Sequence, residues 1–344
     1  MGGLSVPSSG EGNAPPRGRV LVTGGAGYVG SALVPKLRAE GYEVVVLDLY
    51  LYGDVFSHLA GDAGLVQVRA DLRDTGAVAG ALTGCDTVVH LACISNDPSF
   101  DLDPALGRAV NFDCFRPLVR AAKDKGVRRF VYASSSSVYG VNDAPEVTED
   151  LPLKPLTDYS KYKAMCEEVL EDEREPGFTC VTVRPATVCG YAPRLRLDLT
   201  VNIFTNLAFN QGNITVFGGD QLRPNIHIDD MTDLYVRLMQ AEPGTVDGKI
   251  WNAGYDNMRV IDIARLVREE VGPQVQLSTT PTEDLRSYHI SSEKIRRELG
   301  FQPGRTVREA VAGLVEAFQA GKVPGPLTDD RYYNIKRMQA LKLT

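Results

Sequence analysis

No stretch of this 344-residue chain reaches the roughly 18 consecutive apolar residues that a membrane-spanning helix needs. Its first residues are rich in Gly, Ser and Pro and lack the charged and apolar regions of a secretory signal, so residues 1–17 are expected to form a disordered lead-in. There is no Cys-x-x-Cys pair. The six cysteines at 85, 93, 114, 166, 180 and 189 are scattered, and neither they nor the four histidines show metal-ligand spacing. No metal is therefore expected, and the thiols read as core packing in a reducing cytoplasm. Positive charge is not in excess either. The net charge of −7 gives no electrostatic reason to expect nucleic acid or an anionic membrane as a partner. No internal repeat is visible.

What is present is an ordinary soluble composition, 43% hydrophobic and 24% charged, in a chain long enough for two domains or one large domain with an appended lobe. The organising stretch is Arg19-Val-Leu-Val-Thr-Gly-Gly-Ala-Gly-Tyr-Val-Gly30, followed by Ser31-Ala-Leu-Val-Pro-Lys-Leu-Arg38 and Glu43-Val-Val-Val-Leu-Asp48. An apolar run, a glycine turn and a helix-spaced segment make a βαβ opening. The turn fits two registers, Gly25-x-Gly27-x-x-Gly30 and Gly24-x-x-Gly27-x-x-Gly30. In either, missing Cβ atoms let the backbone approach a pyrophosphate held at a helix N-terminus. Asp48 follows at the roughly 20-residue distance where a dinucleotide fold places an acid for the ribose hydroxyls. A carboxylate there repels a 2′-phosphate, which favours NAD over NADP.

Further strands are expected at Leu65–Ala70, Thr87–Ala92, Arg129–Ser134 and Thr179–Arg184, alternating with helices, including a single helix at 105–125 and another at 157–172. That alternation predicts an α/β fold: a Rossmann-type, doubly wound parallel sheet binding its ligands at the strands' C-terminal ends. Asp71 stands at such an end, as a cofactor residue or as the N-cap of the next helix. So does the polar loop from Cys93, which carries Ser95, Asn96 and Asp97. Beyond Pro185 the alternation loosens. The expected division is residues 18–186 plus about 225–256 as the dinucleotide-binding domain, and 187–224 plus 257–344 as a smaller, discontinuous substrate lobe.

Tyr159 and Lys163, four apart in a helix, share one face. A free tyrosine titrates near pH 10, and a neighbouring ammonium favours the phenolate, making Tyr159 a usable proton shuttle. Ser135, at the end of the preceding strand, can hydrogen-bond a substrate hydroxyl or ketone.

Thr23-Gly-Gly-Ala-Gly-Tyr-Val-Gly30, Asp71-Leu-Arg-Asp74, His90-Leu-Ala92, Asn111, Ser134-Ser-Ser-Ser-Val-Tyr-Gly140, Tyr159-x-x-x-Lys163, Arg184-Pro185 and Asp220-Gln-Leu-Arg-Pro-Asn-Ile-His-Ile-Asp229 together resemble the extended short-chain dehydrogenase/reductase family, the NAD-dependent nucleotide-sugar epimerases and dehydratases. The resemblance implies Ser135, Tyr159 and Lys163 as the catalytic triad. It implies a cofactor site of Gly24, Gly27, Tyr28, Val29, Gly30, Asp48, Asp71, Leu72, Leu91, Ala92 and Pro185, with Tyr159 and Lys163 contributing. Substrate would meet Ser95, Asn96, Ser135, Arg194, Asn202, Arg223 and Arg286, the last two clamping a diphosphate, with Arg196 placed to contribute. Thr187 and Cys189 depart from the family's usual Asn and Tyr. The resemblance also implies a homodimer formed through the helices near 105–125 and 157–172.

The dehydratase branch resembles Thr-Asp-Glu where this chain has Ser135-Ser136-Ser137. Without that acid/base pair, hydride transfer alone is the economical reading: a cytoplasmic, NAD-dependent UDP-sugar 4-epimerase. A dehydratase drawing its acid from Asp97, a 4-ketoreductase, and a non-catalytic sensor of NAD and nucleotide sugar are the alternatives.

Overall fold

The computed structural model describes residues 17–95, 102–142, 144–282, 287 and 289–342. Of the expected lead-in only Arg17 falls among them. The strands are β1 (Arg19–Thr23), β2 (Glu43–Asp48), β3 (Leu65–Arg69), β4 (Thr87–His90), β5 (Arg129–Ala133), β6 (Thr179–Pro185), β7 (Thr187–Cys189), β8 (Asn213–Phe217), β9 (Leu222–His227), β10 (Lys249–Ala253), β11 (Asp256–Arg259) and β12 (Gln276–Thr280).

Seven of them form one parallel sheet in the order β10-β6-β5-β4-β1-β2-β3. Val20, Leu21 and Val22 of β1 are fully buried, as expected of a strand covered by helices on both faces. The order reverses between β1 and β4, so the loops leaving these strands diverge and open a crevice. After β6 the chain leaves the sheet and returns to it as β10 beside β6. Two small sheets, β11-β9-β7 and β12-β8, lie beyond it. A separate apolar cluster, including Val201, Ile214, Ile263 and Val311, forms the core around the latter pair. Among the described residues no helix is long and apolar enough to cross a membrane.

The expected single helix at 105–125 is instead broken into Pro104–Arg108, a π-helical turn at Ala109–Asp113 and Phe115–Asp124. Asn111 lies in the widened turn and makes paired hydrogen bonds with Ile94: its amide oxygen accepts from Ile94 N at 2.8 Å and its amide nitrogen donates to Ile94 O at 3.0 Å. The helix Asp158–Asp172 begins where its sequence predicts, because Thr157 and Ser160 form a reciprocal capping box. Cys85, Cys114, Cys166, Cys180 and Cys189 are buried free thiols, and Cys93 is half-buried.

Candidate functional site

A cleft of about 500 Å³ lies over the C-terminal ends of the central strands. Its floor is the turn after β1. Gly24 has φ +71°, and a Cβ there would meet the Ala92 backbone at 2.6 Å; a Cβ on Gly30 would meet the Gly25 backbone at 2.4 Å. Gly24, Gly27 and Gly30 line the cleft whereas Gly25 does not, so the spacing that faces the cleft is Gly24-x-x-Gly27-x-x-Gly30. The first helix, Tyr28–Ala39, has Gly27 as its N-cap and no side chain capping it, which leaves its amide groups and positive dipole end for an anion.

Asp48 closes β2. Its carboxylate accepts from Ala26 N at 3.0 Å and from Tyr50 N at 2.7 Å. Burial pushes its carboxyl up from the usual range, and the two N–H groups oppose that rise. A carboxylate has about four acceptor positions, so two remain for ribose hydroxyls. Asp71 is not the helix cap: Asp74 holds that place, accepting from Gly76 N and Ala77 N at 3.0 Å. Asp71 instead pairs with Arg73 at 2.8 Å, which holds its carboxyl below the usual range, and it lines the cleft. Val29, Leu72, Leu91, Ala92 and Pro185 line the same cleft. Its glycine floor, uncapped helix start and buried acid fit a dinucleotide.

On the opposite side, β5 delivers Ser135 and the Asp158–Asp172 helix delivers Tyr159 and Lys163, all three lining the cleft. The Ser135 hydroxyl accepts from Ser137 N at 3.1 Å and lies 2.9 Å from the Ser137 hydroxyl. Lys163 is 4% exposed. Its Nζ donates to Ala133 O at 2.6 Å and lies 5.9 Å from the centroid of the Tyr159 ring. An ammonium has three donors, so two are left to face the cleft.

A buried network fixes this edge. Glu167, one turn beyond Lys163, pairs with Arg184 of β6 at 2.6 Å and accepts from the Ser134 hydroxyl. Arg184 also donates to the Tyr139 hydroxyl at 2.7 Å, which in turn donates to Asn252 Oδ1 at 2.7 Å. Burial works against the Arg184 charge, but the hydrogen bonds and charge of Glu167 outweigh it and raise its pKa. His90, at the end of β4, lies 2.7 Å from the Thr23 hydroxyl through Nδ1, and burial lowers its pKa to about 3. It is therefore neutral at pH 7.

The substrate residues expected from sequence divide. Ser95 and Arg194 line the cleft. Asn202 does not: it is fully buried, and its amide is committed inside the protein, accepting from Gly190 N at 3.0 Å and donating to Arg196 O at 2.9 Å and to the Tyr28 hydroxyl at 3.1 Å. It braces the loop, and both of its amide donors are used inside the protein. Tyr28 lines the cleft, and its hydroxyl joins the same brace by donating to Gly190 O at 2.6 Å. Arg223 stands on β9, outside the cleft lining. Asn96, Asp97 and Arg286 lie outside the described residues.

Sequence reasoning missed Tyr52, Asn334 and Met338, which also line the cleft. Asn334 and Met338 belong to a C-terminal helix, Asn334–Leu341, that carries no recognisable motif. No group of three or more metal-ligating side chains occurs among the described residues.

Residues 20–254, well over half the chain, match the NAD dependent epimerase/dehydratase family. The UDP-glucose 4-epimerase of Mycolicibacterium smegmatis is 32% identical over 88% of this chain and 98% of its own length. Among solved structures, DesIV, the dTDP-glucose 4,6-dehydratase of Streptomyces venezuelae with NAD bound, superposes with a TM-score of 0.80 at 26% identity, covering 88% of this chain and 98% of its own. The UDP-glucose 4-epimerase of Thermotoga maritima superposes with a TM-score of 0.79 at 25% identity, covering 88% of this chain and 99% of its own. With the glycine turn, the Asp48 carboxylate and the Ser-Tyr-Lys edge meeting in one cleft, this chain belongs to the NAD-dependent epimerase/dehydratase family.

Proposed function

We propose that the protein is a nucleotide-sugar 4-epimerase acting on a UDP-hexose. One observation carries the reading. Ser135 and Ser137 line the cleft with their hydroxyls 2.9 Å apart, and the described carboxylates that line the cleft, Asp48 and Asp71, stand at or just beyond the ends of β2 and β3 on the other side of the sheet's reversal point. Glu167 is locked behind the site by Arg184. Elimination of water needs an added acid/base pair at the sugar, and among the described residues the serine-lined edge supplies none.

When bound, NAD supplies reversible acceptance of a hydride at its nicotinamide ring. Tyr159 takes the proton from the C4 hydroxyl and later returns one, as a positioned acid/base must. The Lys163 ammonium on the same face favours the phenolate form of Tyr159, and its remaining donors orient ribose hydroxyls. Ser135 donates to the C4 oxygen, holding it as it becomes a ketone. Rotation of the 4-keto sugar while its diphosphate stays anchored presents the other face, and the reverse step yields the C4 epimer.

Incubation of purified protein with UDP-glucose, UDP-glucuronate and UDP-N-acetylglucosamine tests this. The expected product is an isomer of unchanged mass, formed without net NADH. A product lighter by one water would replace epimerisation with dehydration.

A further inference from the structure

Arg194 is 4% exposed, lines the cleft and has no carboxylate bonded to it among the described residues. One of its nitrogens, Nη2, donates to Asn334 Oδ1, and its guanidinium stacks 3.6 Å from the centroid of the Tyr52 ring. Its Nε has no hydrogen-bond partner among the described residues. Burial lowers its pKa to about 10. Asp198 and Asp48 act on it electrostatically without a hydrogen bond, so a guanidinium taken out of water is only partly compensated, and a buried donor left unpaired adds to that cost. An anion entering the cleft offsets the uncompensated charge.

The position of Arg194 indicates which anion. Its backbone N–H donates to Ser31 Oγ at 3.1 Å, so the residue is pinned to the first turn of the uncapped Tyr28–Ala39 helix. Tyr52, under its guanidinium, lies in the loop just after Asp48. Arg194 thus bridges the ribose-binding acid and the helix start, and the group that joins a ribose to a helix N-terminus in a dinucleotide is its diphosphate. The nearby Arg196 is neutralised by Asp198 at 2.9 Å, whereas Arg194 is not so paired.

We propose that Arg194 is a cofactor residue, its guanidinium binding the diphosphate of NAD beside the Tyr28–Ala39 helix start, and that Asn334 of the C-terminal helix positions it. This replaces the substrate role expected from sequence. Asn334 is itself fixed, donating to Ser95 Oγ at 2.8 Å and, through its backbone, to Asp198 Oδ2 at 3.0 Å. Arg337 ties the same helix to the loop after β2 by donating to Leu51 O at 2.6 Å. The tail therefore closes the cofactor end of the cleft. The inference rests on the NAD dependence of the family and is independent of which sugar reaction follows.

Calorimetric titration of the full chain with NADH, ADP and adenosine, and of the NAD-saturated protein with UDP, tests it in the parent, Arg194→Gln and Asn334→Ala. Loss of a charge-assisted contact should weaken NADH and ADP about tenfold to a hundredfold in Arg194→Gln, with adenosine and UDP within about twofold of the parent. Asn334→Ala should weaken the same two ligands by a smaller factor. ADP binding unchanged in Arg194→Gln overturns the proposal, as does a loss confined to UDP or one shared equally by adenosine. Should Arg194→Gln not fold, Arg194→Lys and Asn334→Ala decide: weaker ADP with unchanged UDP supports the assignment, and unchanged ADP in both overturns it.

Discussion

Two buried arginines, ten residues apart, define the two sides of this cleft. Arg184, behind the Ser-Tyr-Lys edge, gives hydrogen bonds to Glu167, Tyr139 and Glu149 O, and a carboxylate matches its charge. Arg194, on the cofactor side, keeps an unpartnered donor and no bonded carboxylate. Both are 3–4% exposed, so burial does not distinguish them. The difference lies in whether the protein itself completes the site. Behind the Ser-Tyr-Lys edge the protein completes the ion pair itself, whereas at Arg194 we propose that a ligand completes it.

The largest expected effect sharpens the role of the edge that Arg184 supports. Tyr159→Phe keeps the ring and removes the acid, so turnover should fall about 10²–10⁴-fold, while NADH titration still shows binding. Loss of NADH binding as well would make Tyr159 a structural element. Next, Glu167→Ala leaves Arg184 buried without its carboxylate, and urea denaturation should show a loss of about 3–5 kcal/mol. In Arg194→Gln the same denaturation should change by less than about 1 kcal/mol, because removal of an unmatched charge offsets the lost Asn334 and Tyr52 contacts. Equal destabilisation by the two variants would erase the distinction between the two arginines.

A smaller effect concerns His90, which belongs to the satisfied side. Its folded pKa of about 3 lies below the unfolded value near 6.5, so the unfolded chain binds the extra proton. Its contribution to stability is present above pH 6.5 and is lost as pH falls through the window down to about 3. His90→Gln should remove one proton from the uptake on unfolding, flattening the acid limb by up to about 1.4 kcal/mol per pH unit. An unchanged slope between pH 6 and pH 4 would show that His90 is already protonated in the folded protein.

The cofactor side was the more legible in the sequence, because its chemistry depends on backbone. A turn that tolerates no Cβ must be written in glycine, and an acid closing a strand must be Asp or Glu, so Gly24, Gly27, Gly30 and Asp48 were all visible. Two of the smaller strands were not. Gln276–Thr280 is largely exposed and Asp256–Arg259 has no apolar alternation, so both exist through pairing with β8 and β9, which tertiary structure alone provides. The π-helical turn at Asn111 was hidden because its cause, the hydrogen bonds to Ile94, spans 17 residues. The bracing role of Asn202 was hidden for a related reason: its residue type suits a nucleotide contact, yet partners distributed from Tyr28 to Arg196 take both of its amide donors. Asn334 sits in the sequence Tyr-Tyr-Asn-Ile-Lys, where only the fold reveals that it reaches a residue 140 positions earlier.

The central claim is that the serine-lined edge removes and returns hydrogen at one carbon and does nothing else to the sugar. UDP-glucose carrying deuterium at C4, incubated with the purified protein and followed by NMR, addresses that directly. The account predicts the C4 epimer with its deuterium still on C4. Deuterium found on C6 of a product lighter by one water would contradict it, and so would recovery of the substrate without any epimer alongside turnover of another sugar at a different carbon.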